Sequence, residues 1–165
     1  MKGSVVHKLI GLVVILALIG LDRITKVLAV SHLKGQDAIE IIPGVFELRY
    51  LENSGAAFGI LQGKMWLFYI LTLIIGAACV IIYFRTPSTL HFLPLRIILI
   101  LLTAGAVGNF IDRVTQHYVV DFFYFKLIDF PIFNVADIYV SVAACMLIVF
   151  ILFFYKEQDL QDVVS

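Results

Sequence analysis

Residues 65–84 read MWLFYILTLIIGAACVIIYF and carry no charge. Crossing the hydrocarbon of a bilayer takes about 20 apolar residues. In lipid every backbone polar group must find its partner within the segment, so the stretch reads as a transmembrane helix. Outward from it lie three more such runs. The first starts near Lys8, runs through Leu9–Leu21 and continues past Asp22 toward Val30. Another covers about Leu95–Ile111, with Arg96 at its start, and the last about Ile138–Tyr155. The expected fold is an all-α membrane protein with four transmembrane helices, about 8–30, 65–84, 95–112 and 137–155, in a single integral membrane domain spanning 1–165.

Composition agrees with this reading. The chain is 62% hydrophobic and 15% charged, with a mean hydropathy of +1.04, where soluble domains are about a quarter charged. Its net charge of zero implies no polyanionic partner and no nucleic acid. Cys79 and Cys145 sit inside apolar runs without metal-type spacing and read as small core residues, with a disulfide between them as the alternative. The first run has a second reading, a cleaved signal peptide with Lys2 and Lys8 as its basic entry and Ala29-Val30-Ser31 as its cleavage site. Asp22, Arg23 and Lys26 argue against it, because they separate the apolar core from that site.

Alternating spans gather the polar residues. Asp22 lies toward the end of helix 1, Asn109, Asp112 and Arg113 end helix 3, and Asn134 and Asp137 begin helix 4, so all reach one membrane face. The long connections 31–64 and 113–136 lie on that face too. Polar groups inside spans are costly and mark function by default. Charge bias leaves the orientation open: with the termini inside, five basic residues lie inside and seven outside, although the N-terminal lysines favour that arrangement.

The segment 119–137, VVDFFYFKLIDFPIFNVAD, holds Asp121 and Asp137 among phenylalanines. Two carboxylates brought together in apolar surroundings cannot both ionise easily, and one retains a proton near neutrality. Such a pair can work as acid and base. The structural alternative is a helix cap for Asp137 and a solvated loop for Asp121. Ile39–Ile42 and Val45–Leu51 read as extended segments around Pro43-Gly44, and Val119–Phe125 as a strand. Phe46, Leu48 and Tyr50 alternate with Glu47 and Arg49, so one face can be apolar. Asp22 and Lys26 are spaced to pair on one helical face. Asn53 can hold a carbonyl or orient a carboxylate, and Gly55 in the small-residue run 54–59 allows close backbone approach. Gly105 and Gly108 permit tight helix packing. Arg113 suits a lipid phosphate, a nearby carboxylate or an interfacial anchor. Helix 2 reads as structural, and the tail KEQDLQDVVS as a disordered end. A proton-relaying transporter and a lipid-binding assembly protein stay open as rivals on the residues alone.

Five blocks in order carry a resemblance: Asp22-Arg23-Ile24-Thr25-Lys26, Asn53 through Gly59, Gly105 through Arg113, Val119-Val120-Asp121-Phe122, and Phe133-Asn134-Val135-Ala136-Asp137. Together they resemble the lipoprotein signal peptidase (signal peptidase II) family. The resemblance implies an intramembrane aspartic endopeptidase of the bacterial inner (cytoplasmic) membrane, with cytoplasmic termini and its site at the outer face. Segments 31–64 and 113–136 are then extracytoplasmic, and the strands form a small extracytoplasmic β-platform. Asp121 and Asp137 match the family's catalytic dyad. Asp22, Lys26, Asn53, Gly55, Asn109, Arg113 and Asn134 are the expected substrate-binding or supporting residues. The implied reaction removes the signal peptide from diacylglyceryl-modified prolipoproteins just before the lipidated cysteine, without metal or cofactor. Membrane lipids and cyclic peptide inhibitors such as globomycin are the other implied partners. Ile138 and Arg23 depart from the residues frequent in the family, Ser and Gln.

Overall fold

The computed structural model describes residues 2–55 and 65–164. Four of its helices are long and apolar enough to cross a membrane: α1 (Lys2–Leu33), α2 (Met65–Arg85), α3 (Leu93–Gln116) and α4 (Val135–Phe153). A three-stranded antiparallel sheet accompanies them, in the order β1 (Ile39–Ile42), β2 (Phe46–Asn53), β3 (Val119–Tyr124). The expected class, four membrane helices with a small β-platform, is the class found.

The apolar side chains of α1, α2 and α4 are largely exposed, Leu16, Leu73, Ile74 and Leu152 among them, as befits surfaces facing lipid rather than water. α3 is the central element. It packs against α1, α2 and α4 and buries Ile98, Leu99, Ala104, Gly105 and Gly108. A Cβ on Gly105 would lie 2.6 Å from the Ala136 carbonyl, and one on Gly108 would lie 2.7 Å from Asp22 Oδ2. Those two glycines let α4 and the Asp22 side chain come against α3.

α1 has 32 residues, about 48 Å at 1.5 Å per residue, against about 30 Å of hydrocarbon. Its last turns therefore reach the sheet, and Ala29 and Leu33 pack with Val120, Phe122 and Tyr139. The helix begins earlier and ends later than the sequence expectation of 8–30. Likewise α3 runs on to Gln116, and α4 starts at Val135 because Asn134 caps it.

β3 joins the Ile39–Asn53 hairpin as its third strand. Three other expectations change. Glu47, assigned to the polar face, is buried, with Lys126 Nζ 3.1 Å from its carboxylate. The tail forms a helix, α5 (Glu157–Val164), instead of disorder. Val163 is buried with Tyr155, Phe92 and Cys79, and Asp159 bonds His91 at 2.9 Å. The amphipathic pattern of 157–164 gives this helix an apolar side to dock. Both cysteines are free. Cys79 is buried as expected, but Cys145 is exposed on α4.

Candidate active site

β3 places Asp121. It pairs with β2 in a register that sets Leu51 opposite Asp121 and Asn53 opposite Val119, past an irregularity between Leu48 and Leu51. Asn53 Nδ2 thereby donates to Asp121 Oδ2 at 2.8 Å. Asn53 is itself held, since its Oδ1 accepts the Gly55 N–H at 2.9 Å.

After β3 the chain makes a short 3-10 turn, Lys126–Ile128, reverses at Asp129 in the left-handed region (φ 46) and returns. Phe133 closes this excursion: its carbonyl accepts from the N–H groups of Phe122 and Phe123, and its own N–H donates to Phe123. Asn134 is thus pinned beside Asp121 and donates from Nδ2 to Asp121 Oδ1 at 2.6 Å.

Asn134 also starts α4 through a capping box. Its Oδ1 accepts the Asp137 N–H at 3.0 Å, and Asp137 Oδ2 accepts the Asn134 N–H at 3.1 Å. The cap reading of Asp137 is thus met, and capping occupies only one of its two oxygens. One carboxylate oxygen caps the helix, while the other accepts from Asn109 Nδ2 at 2.8 Å. Asn134 thus bonds both aspartates.

Asp121 is almost fully buried. Burial first, and then the negative charge of Asp137, push its carboxyl up to about 7, against the pull of the Asn53 and Asn134 hydrogen bonds. The site can thus hold one proton and one carboxylate at neutral pH, the state needed for paired acid and base chemistry.

Behind this pair lies a buried charge cluster. Lys26 Nζ is 2.8 Å from Asp22 Oδ2, 2.9 Å from Asp112 Oδ2 and 2.9 Å from Asn109 Oδ1. Asp22 Oδ1 accepts the Ala136 N–H at 2.9 Å, which ties α1 to the first turn of α4. Arg23 Nη1 reaches Asp112 Oδ1 at 2.7 Å. Lys26 is therefore no surface ion pair. Arg23 and Asp112 complete the cluster but were not among the expected site residues. Their signal was available in the spacing, Asp112 three residues after Asn109 and Arg23 beside Asp22.

A cavity of about 680 Å³ opens onto the acid pair. Asn53, Gly55, Asn109, Arg113, Asp121 and Asp137 form its polar end, and Phe68, Phe125, Phe130, Ile132, Ile138 and Val142 line the apolar remainder. The Arg113 guanidinium lies 4.5 Å over the Phe68 ring and points toward the Gly55 and Asn109 carbonyls at 3.5 and 3.4 Å. Helix 2 is therefore more than a structural span, because Phe68 lines the cavity and the Tyr69 hydroxyl bonds the Arg113 carbonyl at 2.9 Å. Every expected site residue is in this assembly. The expected small-residue run beyond Gly55, residues 56–59, lies outside the described residues. Among the described residues no three His, Cys, Asp or Glu side chains are placed to hold a metal ion.

Fold and site together define a multi-pass membrane protein with a carboxyl pair, Asp121 buried and Asp137 half-buried, at the head of an apolar cavity. The family model described as Signal peptidase (SPase) II matches residues 14–153, and the chain belongs to this family of peptidases. It is 47% identical over 148 residues to the lipoprotein signal peptidase of Streptococcus thermophilus (strain CNRZ 1066), covering 89% of this chain and 93% of that protein. The lipoprotein signal peptidase of Clostridioides difficile (strain 630) is 40% identical over 146 residues, covering 88% and 97%. A solved bacterial membrane enzyme, determined by the in meso method at 2.3 Å resolution, matches with a TM-score of 0.79 and 35% identity, covering 89% of this chain and 92% of that one. The family expected from the sequence is the family found.

Proposed function

We propose that the protein is an aspartic endopeptidase that removes the signal peptide from diacylglyceryl-modified prolipoproteins, cutting just before the lipidated cysteine. The observation that carries this reading is the carboxyl pair, Asp121 and Asp137, joined through Asn134 at the polar end of an otherwise apolar cavity. An apolar signal segment can lie along Phe68, Ile138 and Val142 while the scissile bond meets the carboxyls.

Asp121, whose carboxyl is pushed up to about 7, is the acid, and Asp137 is the base. Asp137 takes a proton from water as the water oxygen attacks the scissile carbonyl carbon, and Asp121 gives its proton to the carbonyl oxygen. The resulting gem-diol collapses when Asp137 returns its proton to the leaving nitrogen and a diol hydroxyl returns one to Asp121. The C–N bond breaks, and the products are a carboxylic acid and an amine. Arg113 and Asn53 flank the position of the peptide, and Asn109 and Asn134 hold the carboxylates. The same cavity suits cyclic peptides of the globomycin type.

We place the protein as a single integral domain in the bacterial inner membrane, with both termini cytoplasmic and the sheet and acid pair at the outer face. Cleavage of a diacylglyceryl-modified prolipoprotein, followed by gel shift, tests the function. Wild type is expected to cut, and folded Asp121→Asn and Asp137→Asn variants to be inert. An inert wild type, or two Asn variants that still cut, would overturn the reading.

A further inference from the structure

A side-chain amide has two ends of nearly equal size, and only its neighbours decide which end faces which way. Three asparagines serve the acid pair, so each must present its NH2 end to a carboxylate. Asn53 is oriented by the Gly55 N–H on its Oδ1, and Asn134 by the Asp137 N–H on its own. Both are backbone donors that cannot reverse. Among the described residues Asn109 has no such backbone donor. Its Oδ1 accepts from Lys26 Nζ at 2.9 Å and, more weakly, from Asn134 Nδ2 at 3.1 Å, a nitrogen that also serves Asp121.

We infer that Lys26 is a positioning residue, whose buried ammonium locks the Asn109 amide with its NH2 toward Asp137. This rests on the peptidase reading above. An ammonium has three donors and no acceptor, so it admits only the oxygen end of Asn109. A reversed amide would turn its NH2 to a cation and its oxygen to the Asp137 carboxylate. Bonds from a charged donor are about twice as strong as neutral ones, so Lys26 outweighs Asn134 in setting the orientation. The role also accounts for a lysine that is only 1% exposed. Its charge is matched inside the cluster, where Lys26 and Arg23 face Asp22 and Asp112. The cluster is neutral as a whole, and its contribution at Asp137 is the direction of a dipole. Among the described residues the other charged groups facing Asn109 and Asp137 are Arg113 on α3 and Asp121 on β3.

The test is a double variant, Asp22→Asn with Lys26→Met. It removes one cation and one anion, so net charge beside the site is unchanged, and the amide introduced at position 22 keeps an oxygen for the Ala136 N–H. The readout is the infrared titration of the carboxyl pair in isotope-labelled protein without substrate. It keeps failure of this inference distinct from failure of the peptidase reading. In the wild-type background the pair's titration is expected to move up by about one pH unit, a tenfold change in proton affinity. In an Asn109→Ala background the same double change is expected to leave only a smaller upward shift, from loss of the Lys26 charge near Asp121. Equal shifts in both backgrounds, or none in either, overturn the inference. The wild-type chain provides a check that does not depend on a variant folding. The Asn109 side-chain NH2 resonances are expected to follow the titration of the pair, and resonances indifferent to it would place the oxygen end at Asp137 and overturn the assignment.

Discussion

Gly105 offers a way to displace the site without touching any polar group in it. A Cβ there would stand 2.6 Å from the Ala136 carbonyl oxygen and 2.7 Å from Val140 Cγ2, both on α4. The first is backbone and cannot rotate away. Ordinary contact begins near 3.4 Å, so Gly105→Ala must open the α3–α4 interface locally by about 0.8 Å. Ala136 immediately precedes Asp137, and the bond most exposed to the shift is Asn109 Nδ2 to Asp137 Oδ1, now 2.8 Å. A hydrogen bond lengthened by that amount is effectively lost. Overpacking of this kind costs about 1–3 kcal/mol of stability, and a misplacement near 1 Å can cost about a hundredfold in rate. Gly105→Ala is therefore expected to lower kcat by about one to two orders of magnitude, while the protein stays folded. Prolipoprotein cleavage in detergent, alongside an unfolding titration, measures both. Gly76→Ala on α2 is the control, since nothing lies within 4 Å of its Cβ position; it should match wild type or gain slightly, because alanine is the better helix former. A Gly105→Ala protein as active and as stable as wild type would refute the claim that α3–α4 contact sets the site.

The remaining expectations concern protons and the far face. With Asp121 as the acid, kcat/KM is expected to fall above about pH 7 as its carboxyl ionises; a profile flat from about pH 4 to 8 would remove it from the reaction. The same group links stability to pH. The folded chain keeps its proton up to about 7, whereas the unfolded carboxyl loses it near 3.8. Between those values the folded state binds more protons, so stability falls as pH rises, by up to about 4 kcal/mol, and levels off above pH 7. Asp121→Asn should abolish that slope, and unfolding measured across pH in wild type and variant decides it; equal slopes would show that Asp121 titrates alike in both states. At the opposite end, Tyr155→Phe removes the hydroxyl that accepts the buried Leu95 N–H at 3.1 Å. It should cost about 1–2 kcal/mol in unfolding assays and leave cleavage unchanged; a loss of activity at equal folding would mean that this end communicates with the acid pair.

Much of the protein can be read from its sequence because lipid imposes simple rules. Four apolar runs have to be helices, since no other isolated segment satisfies its backbone in hydrocarbon. Their alternation alone brings Asp22, Asn109, Asp112, Arg113, Asn134 and Asp137 to one face, and the matched blocks point to the family. The strands around Pro43-Gly44 and at 119–124 are visible in alternation and turn residues. What required the tertiary structure was pairing between distant segments. Only the β2–β3 register joins Asn53 to Asp121, and only the bridge from Phe133 back to Phe123 sets Asn134 beside the acid. The partners of Lys26 lie on α3 as well as on its own helix. Local spacing offers it Asp22 alone, and packing through Gly108 supplies Asp112 and Asn109. The elevated proton affinity of Asp121 likewise belongs to the assembled protein. Sequence names the carboxyl group, but burial and the approach of Asp137 decide how firmly it holds its proton.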